Sequence, residues 1–306
     1  MTPLSQQILQ SFQVRKTKDQ KLRFIELLRS RYPQLQVEEG GIIKSRNIVI
    51  GDVKNAKLLL TAHYDTCARL PFPNFVTPKN MAAYLGYQLL IAAPFIALFL
   101  GVMFGLEQLG IEPVICLWLG YITMMAVMVY VLMLGPANKH TANDNTSGVI
   151  TLIEIMEELT ETEKSQVAFI FFDNEENGLL GSSRFAKDHK KDQLKSKLVL
   201  NFDCVSDGDH FLFVLNKPAY QKYAKLFQRS FPESSLKTVT IDPSSKAFYP
   251  SDQKNFPVNA AVASMKHHKL LGLYMDKIHT KHDTVFQEEN IQFLAEGTAR
   301  LLQEMK

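Results

Sequence analysis

Cysteine is scarce in this sequence, and its positions suggest no disulfide framework. Cys67, Cys116 and Cys204 are the three cysteines among 306 residues, and no two of them have a paired spacing. This usage is typical of a reducing compartment rather than of a small disulfide-bonded extracellular domain. The sequence therefore predicts free thiols.

Features that would indicate a nucleic-acid partner or secretion are also missing. The net charge is only +3, and no stripe of Lys and Arg with interleaved aromatic residues is present, so we expect no nucleic-acid partner. The first 24 residues contain no apolar core of a secretory signal. No internal repeat or low-complexity tract is found, and the length allows one large domain or two medium ones.

Charge is absent from two long stretches, residues 80–106 and 113–138. Each is longer than the roughly 20 helical residues that cross the hydrocarbon core of a bilayer, and only residues 107–112 separate them. We therefore predict an inserted transmembrane hairpin over residues 80–138, with helices at about 81–106 and 113–135. Two alternatives remain open: a helical hairpin buried in a soluble core, and a hairpin buried in a dimer interface.

The charges that flank the two stretches predict an orientation. Their outer ends are basic and their short connection is acidic: Arg69, Lys79, Lys139 and His140 against Glu107 and Glu112. The positive-inside rule then predicts an integral membrane protein, in contact with the lipid bilayer, whose residues outside the hairpin lie in the cytoplasm. Gly101 and Gly105 form a GxxxG pair, a pattern that favours close helix packing and leads us to expect a homodimer.

Outside these stretches, strand patterns alternate with helix patterns. Continuous apolar runs predict strands buried on both faces, and three- and four-residue apolar spacing predicts helices such as residues 19–32. We therefore predict an α/β fold with a mostly parallel central sheet flanked by helices, built as one domain from residues 1–79 and 139–306.

Polar residues follow several of the predicted strands. His63 and Asp65, the pair Glu175 and Glu176, and Asp203 each lie at a strand end, where the sites of parallel sheets gather. Taken singly, each has an ordinary explanation, such as a structural histidine, a solvated turn or a helix cap. Together they favour a metal site, because histidine nitrogen and carboxylate oxygen are zinc donors.

The number of candidate ligands indicates two metal ions. Five residues are candidates: His63, Asp144, Glu176, Asp203 and His279. Five ligands are too many for one open zinc site but suit two ions that share a bridging carboxylate and hold a hydroxide between them. One member of the Glu175–Glu176 pair can then bind metal while the other acts as general base.

Six segments carry a family resemblance in their order along the chain. They are AHYDT (62–66), NDNTSG (143–148), FFDNEENGLLGS (171–182), NFDCVS (201–206), YPSDQKNF (249–256) and IHTKHDT (278–284). As a set, they resemble the M28 zinc aminopeptidases, which use two co-catalytic metal ions. The resemblance extends from about residue 50 to the end of the chain.

The resemblance implies a role for each matching residue. One zinc ion would be held by His63 and Asp203 and the other by Glu176 and His279, with Asp144 as the bridge. A cis peptide bond would follow Asp144, Glu175 would be the catalytic base, and Asp65 would orient His63 as a further catalytic residue.

Three more residues, Tyr249, Ser251 and Asp252, would face the substrate. The family often has histidine where this chain has Gln253. The same pattern assigns the ligand role to His279 rather than to His282. Alternation along the strand predicts that the side chain of Cys204 faces away from that of Asp203.

The resemblance implies hydrolysis of N-terminal peptide bonds by a metal-bridging hydroxide, with Glu175 moving the proton. Expected substrates are peptides, and the hairpin would favour apolar or membrane-proximal ones by holding the catalytic mouth near the bilayer. Alternatives are a glutaminyl-cyclase-like enzyme, a carboxypeptidase-type enzyme, or a catalytically inactive membrane scaffold with the same fold.

Overall fold

The computed structural model describes residues 1–41 and 43–305, which fold around a nine-stranded sheet. The strands follow the order β1-β2-β4-β3-β5-β8-β6-β7, and β9 pairs with β8. Their bounds are β1 Gln36–Gly40, β2 Ser45–Ile50, β3 Leu58–His63, β4 Val167–Phe172, β5 Leu198–Phe202, β6 His210–Leu215, β7 Thr238–Pro243, β8 Asn259–His268 and β9 Gly272–Tyr274.

Helices lie between these strands and around the sheet. Their bounds are α1 Pro3–Ser11, α2 Lys18–Arg31, α3 Met81–Gln108, α4 Pro113–Val129, α5 Gly148–Glu158, α6 Glu161–Lys164, α7 Leu180–Asp188, α8 Lys217–Ser230 and α9 Glu288–Glu304. The helix predicted for residues 19–32 is α2. It begins with a capping box in which Thr17 and Gln20 satisfy each other's backbone N–H groups.

The predicted α/β class, with helices flanking a central sheet, is confirmed. The middle of the sheet is parallel, since β3 pairs in parallel with β4 and β5, and β5 pairs in parallel with β8. Antiparallel pairs lie to either side, β1 with β2 and β2 with β4 at one edge and β6 with β8 at the other. β6 also pairs in parallel with β7 at that other edge. The sheet is therefore mixed, and the parallel strands β4, β3, β5 and β8 in its middle lie where the site is predicted.

Strand β4 shows why its sequence is apolar throughout. Val167, Phe169 and Phe171 pack into the larger core, which includes residues of α2, α5, α8 and α9. The intervening residues pack into a second core on the other face, where Phe172 lies against Phe185 of α7. Because successive side chains of a strand point to opposite faces, helices on both sides of the sheet require an unbroken apolar run.

The two uncharged stretches form a pair of packed helices, α3 and α4. The last turn of α4 continues as a π-helical turn over Tyr130–Leu134. Both helices are long and apolar enough to cross a membrane, and only 6% and 11% of their most apolar segments are buried within the protein. A hairpin buried in a soluble core would be mostly covered, so this exposure argues against that alternative, while both a bilayer and a dimer interface are consistent with it.

The contact between α3 and α4 does not use the GxxxG pair. A Cβ atom added at Gly101 or Gly105 would meet nothing within 4 Å, whereas one added at Gly120 would lie 3.0 Å from the carbonyl oxygen of Phe99. The close approach inside the hairpin is therefore at Gly120, and the GxxxG face is left uncovered.

The chain enters and leaves the hairpin at one place. Ala68 and Ala137 form an antiparallel bridge, flanked by hydrogen bonds from Arg69 N to Pro136 O (2.8 Å) and from Asn138 N to Cys67 O (3.2 Å). We call this pairing of residues 67–69 with 136–138 the hairpin base. That residues 80–138 form a separate inserted unit stays a prediction.

Candidate metal centre

Three parallel strands deliver the first candidate residues to one edge of the sheet. His63 is the last residue of β3, and its register partner in β4 is Phe172, which the turn carrying Glu175 and Glu176 follows. Asp203 comes directly after β5. Because these strands are parallel neighbours, their carboxyl ends meet, as the sequence predicts.

Two loops bring Asp144 and His279 to the same place. Asp144 lies just before α5, and the peptide bond to Asn145 is cis, as the resemblance implies. The Asn145 side chain accepts from Gly148 N (3.0 Å) and donates to Phe202 O (2.9 Å), which ties this turn to the end of β5. His279 lies in the loop after β9 and adopts a left-handed backbone with φ of 61°.

The carboxylate of Asp144 is shared between the two halves of the cluster. Its Oδ1 lies 3.3 Å from His63 Nε2, and its Oδ2 lies 2.9 Å from His279 Nε2. On the first side, His63 Nε2 is also 3.6 Å from Asp203 Oδ1. On the second side, His279 Nε2 is 3.3 Å from Glu176 Oε2. The structure thus brings all five candidate ligands together in two groups that meet at Asp144.

These separations match ligands arranged around metal ions. Two donors that each lie 2.0–2.2 Å from one tetrahedral zinc ion are about 3.4 Å apart. His63 Nε2 and Glu176 Oε1 are buried and have no hydrogen-bond partner among the described residues. Buried polar atoms are normally paired or bind metal, and nitrogen with carboxylate oxygen is a donor set that zinc accepts. The residues therefore fit a metal pair.

Several carboxylates lie buried close together at this centre, and their pKa values are shifted as a result. Burial raises the pKa of Glu175 well above its usual range, and burial raises the pKa of Glu176 to about 7. Burial alone would lower the pKa of His279, but the carboxylates of Glu176 and Asp144 outweigh it and raise that pKa to about 10. Such a cluster of buried negative charge calls for bound cations.

Two further carboxylates hold the backbone of this centre. Asp65, directly after β3, accepts the N–H groups of Glu175 (3.0 Å) and Glu176 (3.2 Å). Its Oδ1 is 3.7 Å from His63 Nδ1, and its own carbonyl oxygen is nearer to that nitrogen, at 3.1 Å. Asp283 does the same for the other loop, accepting the N–H groups of Asn143 (2.9 Å) and Asp144 (3.0 Å).

The three residues expected to face the substrate are buried beside the centre. The Tyr249 hydroxyl donates to Asp203 O (3.1 Å), and Ser251 Oγ accepts from Asn201 Nδ2 (3.1 Å). Asp252 is fully buried, and burial raises its pKa to about 7. The side chain of Gln253 folds back onto Tyr249 O (2.7 Å). Their contact with substrate stays a prediction.

The prediction that Cys204 faces away from Asp203 is wrong. Its Sγ lies 3.1 Å from Asp203 Oδ1. Strand β5 ends at Phe202, and Cys204 has a left-handed backbone with φ of 57°, so strand alternation no longer applies at this position. His282 lies at the wall of a cavity of about 560 Å³, and it is absent from the clusters of metal-ligating side chains found in the described residues.

The N-terminal segment carries supports for the centre that the sequence pattern did not reveal. Arg15 is fully buried; its side chain donates to Tyr64 O and to Thr146 Oγ1 (3.2 Å), which lie beside Asp65 and Asp144 in the chain. Lys21 forms a buried ion pair with Asp173 and donates to Asn174 Oδ1 (2.9 Å). The sequence around these two residues is polar and typical of the beginning of a helix, so it does not predict contacts with such distant partners.

A third residue missed by sequence reasoning is Cys67. Its thiol sulfur lies within 4.8 Å of a carboxylate oxygen of Glu176 and a ring nitrogen of His279. The residue is 3% exposed, and burial raises the pKa of its thiol well above the usual range. The available signal was its place four residues after His63, in the loop that leaves the site.

Comparison of the sequence with known proteins gives two matches. Residues 127–300, more than half of the chain, match the model of peptidase family M28. A "probable leucine aminopeptidase 2" of Aspergillus oryzae is 34% identical over 95 residues, which are 30% of this chain and 18% of that protein. The chain thus matches less than a fifth of the length of this curated relative.

Comparison with solved structures shows the same fold. The LapA aminopeptidase of Legionella pneumophila superposes with a TM-score of 0.59 at 14% identity, covering 100% of this chain and 71% of that one. LapB of the same organism gives 0.53 at 13% identity, covering 99% and 70%. With the ordered motifs and the family match, these observations lead to one conclusion: the chain belongs to peptidase family M28.

Proposed function

We propose that this protein is a membrane-anchored aminopeptidase that uses two zinc ions and takes Glu175 as its general base. The proposal rests on the position of the Asp144 carboxylate between the two histidines. Its Oδ1 lies 3.3 Å from His63 Nε2, and its Oδ2 lies 2.9 Å from His279 Nε2. Asp203 and Glu176 would complete the two ligand sets, one on each side.

Bound zinc would supply the Lewis acid that polarises the scissile carbonyl and makes water a nucleophile near neutral pH. Glu175 is positioned for the proton transfers, since its carboxylate lies within 4.8 Å of ligand atoms of His63 and Glu176. It would accept the proton of the attacking water and deliver it to the leaving amine. Asp65 would keep this geometry by accepting the N–H groups of both glutamates.

The hairpin of α3 and α4 would anchor this domain to the bilayer. Its helices expose large apolar side chains over most of their length, among them Leu89 at 71%, Leu90 at 67% and Trp118 at 58%. A bilayer covers such a surface without a protein partner. The basic ends of the hairpin and its acidic tip support a cytoplasmic catalytic domain.

The hairpin also lines a cavity at the metal centre. One wall of this cavity, which has a volume of about 290 Å³, is apolar and is formed by Leu132, Met133 and Leu134 from the last turn of the hairpin. The remaining walls are mostly polar and include the catalytic-site residues Asp65 and Glu176 together with Lys16, Lys21, Asn174 and Asn177. An apolar wall next to a metal ligand favours apolar substrate side chains. We therefore infer that the substrates are peptides with apolar residues near the N-terminus, presented close to the membrane.

The base assignment is tested by replacing Glu175 with Gln in the full chain purified in detergent with zinc. Release of N-terminal residues from short peptides should fall about 10²–10⁴-fold, the usual contribution of a general base, while both zinc ions remain bound. Glu176→Gln should instead lower the zinc content, and the exposed Glu158→Gln should change neither quantity. Full activity of Glu175→Gln would refute the base assignment.

The same assay separates the alternative functions. Release of C-terminal residues would indicate a carboxypeptidase-type enzyme, and cyclisation of N-terminal glutamine with one bound zinc would indicate a glutaminyl-cyclase-like enzyme. Absence of zinc from freshly purified protein would indicate an inactive scaffold.

The role of the hairpin is tested by deleting residues 81–134 and joining the ends with a Gly-Ser linker, which keeps the Ala68–Ala137 bridge. If the hairpin contributes to substrate binding, kcat/KM for apolar peptides should fall relative to the intact protein in liposomes. Leu132→Ala in the intact chain keeps the span of residues 113–134 apolar and shortens one side chain of the cavity wall. It should lower kcat/KM for apolar peptides about tenfold, since burial of one Leu side chain contributes about 1.5 kcal/mol or more. Equal kcat/KM values would mean that the hairpin is only an anchor.

A further inference from the structure

Cys67 lies on the side of the metal centre formed by Glu176 and His279. Its Sγ, a carboxylate oxygen of Glu176 and a ring nitrogen of His279 all lie within 4.8 Å of one another. A sulfur at 2.3 Å and a nitrogen at 2.0–2.1 Å from one tetrahedral zinc ion are about 3.6 Å apart. The observed cluster is therefore at most about 1 Å wider than a thiolate-containing zinc site.

The Glu176 side chain supplies a second, independent indication of a ligand at this point. It is only 10% exposed, and its Oε1 is buried without a hydrogen-bond partner in the described part of the chain. Its other oxygen, Oε2, faces His279 Nε2 at 3.3 Å. A buried carboxylate oxygen that finds no donor, next to a buried thiol and an imidazole, fits a cation among the three.

The backbone holds Cys67 in this position from both sides. Its carbonyl oxygen accepts from Asn138 N (3.2 Å), and Asn138 Nδ2 donates to Thr280 O (2.9 Å), next to His279. Leu70 N donates to the carbonyl oxygen of His279 itself (2.8 Å). The loop of Cys67 and the loop of His279 are therefore joined by hydrogen bonds, which preorganise the thiol and the imidazole relative to each other.

We propose that Cys67 is a protein ligand of the ion held by Glu176 and His279, adding a sulfur donor to their oxygen and nitrogen donors. The inference rests on the proposed two-zinc centre and deepens it. On binding, the thiol releases its proton to solvent and a zinc–sulfur bond forms.

The sulfur donor also makes a prediction about metal selectivity. Thiolate favours zinc over magnesium, calcium and manganese, which prefer oxygen donors. The Cys67 side should therefore retain zinc when the centre is exposed to an excess of manganese, and the His63 side should exchange first.

The test is zinc K-edge X-ray absorption on the full chain in detergent, loaded with two zinc ions. The expected spectrum contains a zinc–sulfur shell at about 2.3 Å, averaging one sulfur per two zinc ions, beside nitrogen and oxygen at about 2.0–2.1 Å. Cys67→Ser should remove the sulfur shell. It should also weaken retention of one zinc ion against a chelator by more than the 10–100-fold typical of a lost supporting partner.

Matched variants identify the thiol. Cys204 also lies near a candidate ligand, so a sulfur shell that is lost in Cys204→Ser and kept in Cys67→Ser would overturn the proposal. Cys116→Ser, in the hairpin, should leave the spectrum unchanged. The wild-type spectrum tests the role of Cys67 even if a variant fails to fold. Two bound zinc ions with only nitrogen and oxygen neighbours would overturn that role and leave the proposed function intact. A protein that binds no zinc would overturn both.

Discussion

Asp65 accepts hydrogen bonds from the backbone of both glutamates, so the small chemical change Asp65→Asn should have a large effect on stability and on zinc binding. The carboxylate is 2% exposed, and each of its oxygens accepts one backbone N–H, from Glu175 at 3.0 Å and from Glu176 at 3.2 Å. Burial by itself would raise the pKa of Asp65, but the neighbouring His63 ring and the positive charge of Lys21 outweigh it and lower the pKa. The group therefore acts as a charged double acceptor.

The size of the effect follows from these two hydrogen bonds. Asparagine keeps one acceptor oxygen but places an NH₂ group against the second backbone N–H. A hydrogen bond to a charged group contributes about 1.5–3 kcal/mol, and a buried donor left unpaired costs a similar amount. We expect Asp65→Asn to lower the free energy of unfolding by about 3 kcal/mol and to weaken zinc binding about 10–100-fold.

Urea unfolding followed by far-ultraviolet circular dichroism measures the first quantity, and competition with a zinc chelator measures the second. Asp52→Asn is a matched control, because the exposed Asp52 carboxylate also accepts two backbone N–H groups, from Lys54 at 2.9 Å and Asn55 at 3.2 Å. Water can replace those bonds, so its unfolding free energy should fall by less than about 1 kcal/mol. Equal losses in the two variants would refute the reasoning.

Two other positions give predictions away from the metal ligands. At Gly181, an added Cβ would lie 2.1 Å from Asp173 O and 2.6 Å from Asn47 Oδ1. Gly181→Ala should therefore lower the free energy of unfolding by about 1–3 kcal/mol through overpacking, measured by urea unfolding, whereas Gly86→Ala, in open space, should not. His189 bonds to Glu38 and Asp192, which raise its pKa above the usual value of about 6.5. The pKa of His189 is higher in the folded than in the unfolded protein, so the protonated ring stabilises the fold. The difference in free energy of unfolding between wild type and His189→Gln should therefore be largest below about pH 6.5 and should disappear as the pH rises through the folded-state pKa. A difference that grows with pH would contradict this.

The elements of the fold that could be predicted are those whose burial shows in a local pattern of apolar residues. The apolar run of β4 is readable because both of its faces are covered, and its parallel neighbours then place His63, Glu176 and Asp203 at one edge. Strand β1 escaped prediction because it is a partly exposed edge strand, with two acidic residues, whose existence depends on pairing with β2. Edge strands lack the apolar run that makes central strands recognisable.

The candidate ligands and the supporting residue Asp65 could be picked out from the sequence, whereas Arg15, Lys21 and Cys67 could not. Histidine and carboxylate residues that directly follow strands can be recognised as metal ligands from their residue type and position. Arg15 and Cys67 cannot be recognised in this way, because their partners lie far away in the sequence and come near only in the folded chain. Arg15 reaches Thr146 across 131 positions of sequence. Such contacts are set by the packing of a whole segment, and no local pattern specifies them.

The hairpin base explains how so large an apolar insertion can lie between His63 and Asp144 without separating them. Its two chains are joined by the Ala68–Ala137 bridge, so the rest of the domain is connected almost as if by a short loop. The same base is bonded to the loop of His279, through Leu70 N and Asn138 Nδ2. A displacement of the hairpin would therefore act first on the half of the centre that contains Cys67, Glu176 and His279. His63 and Asp203, at the ends of β3 and β5, are instead held in place by the sheet.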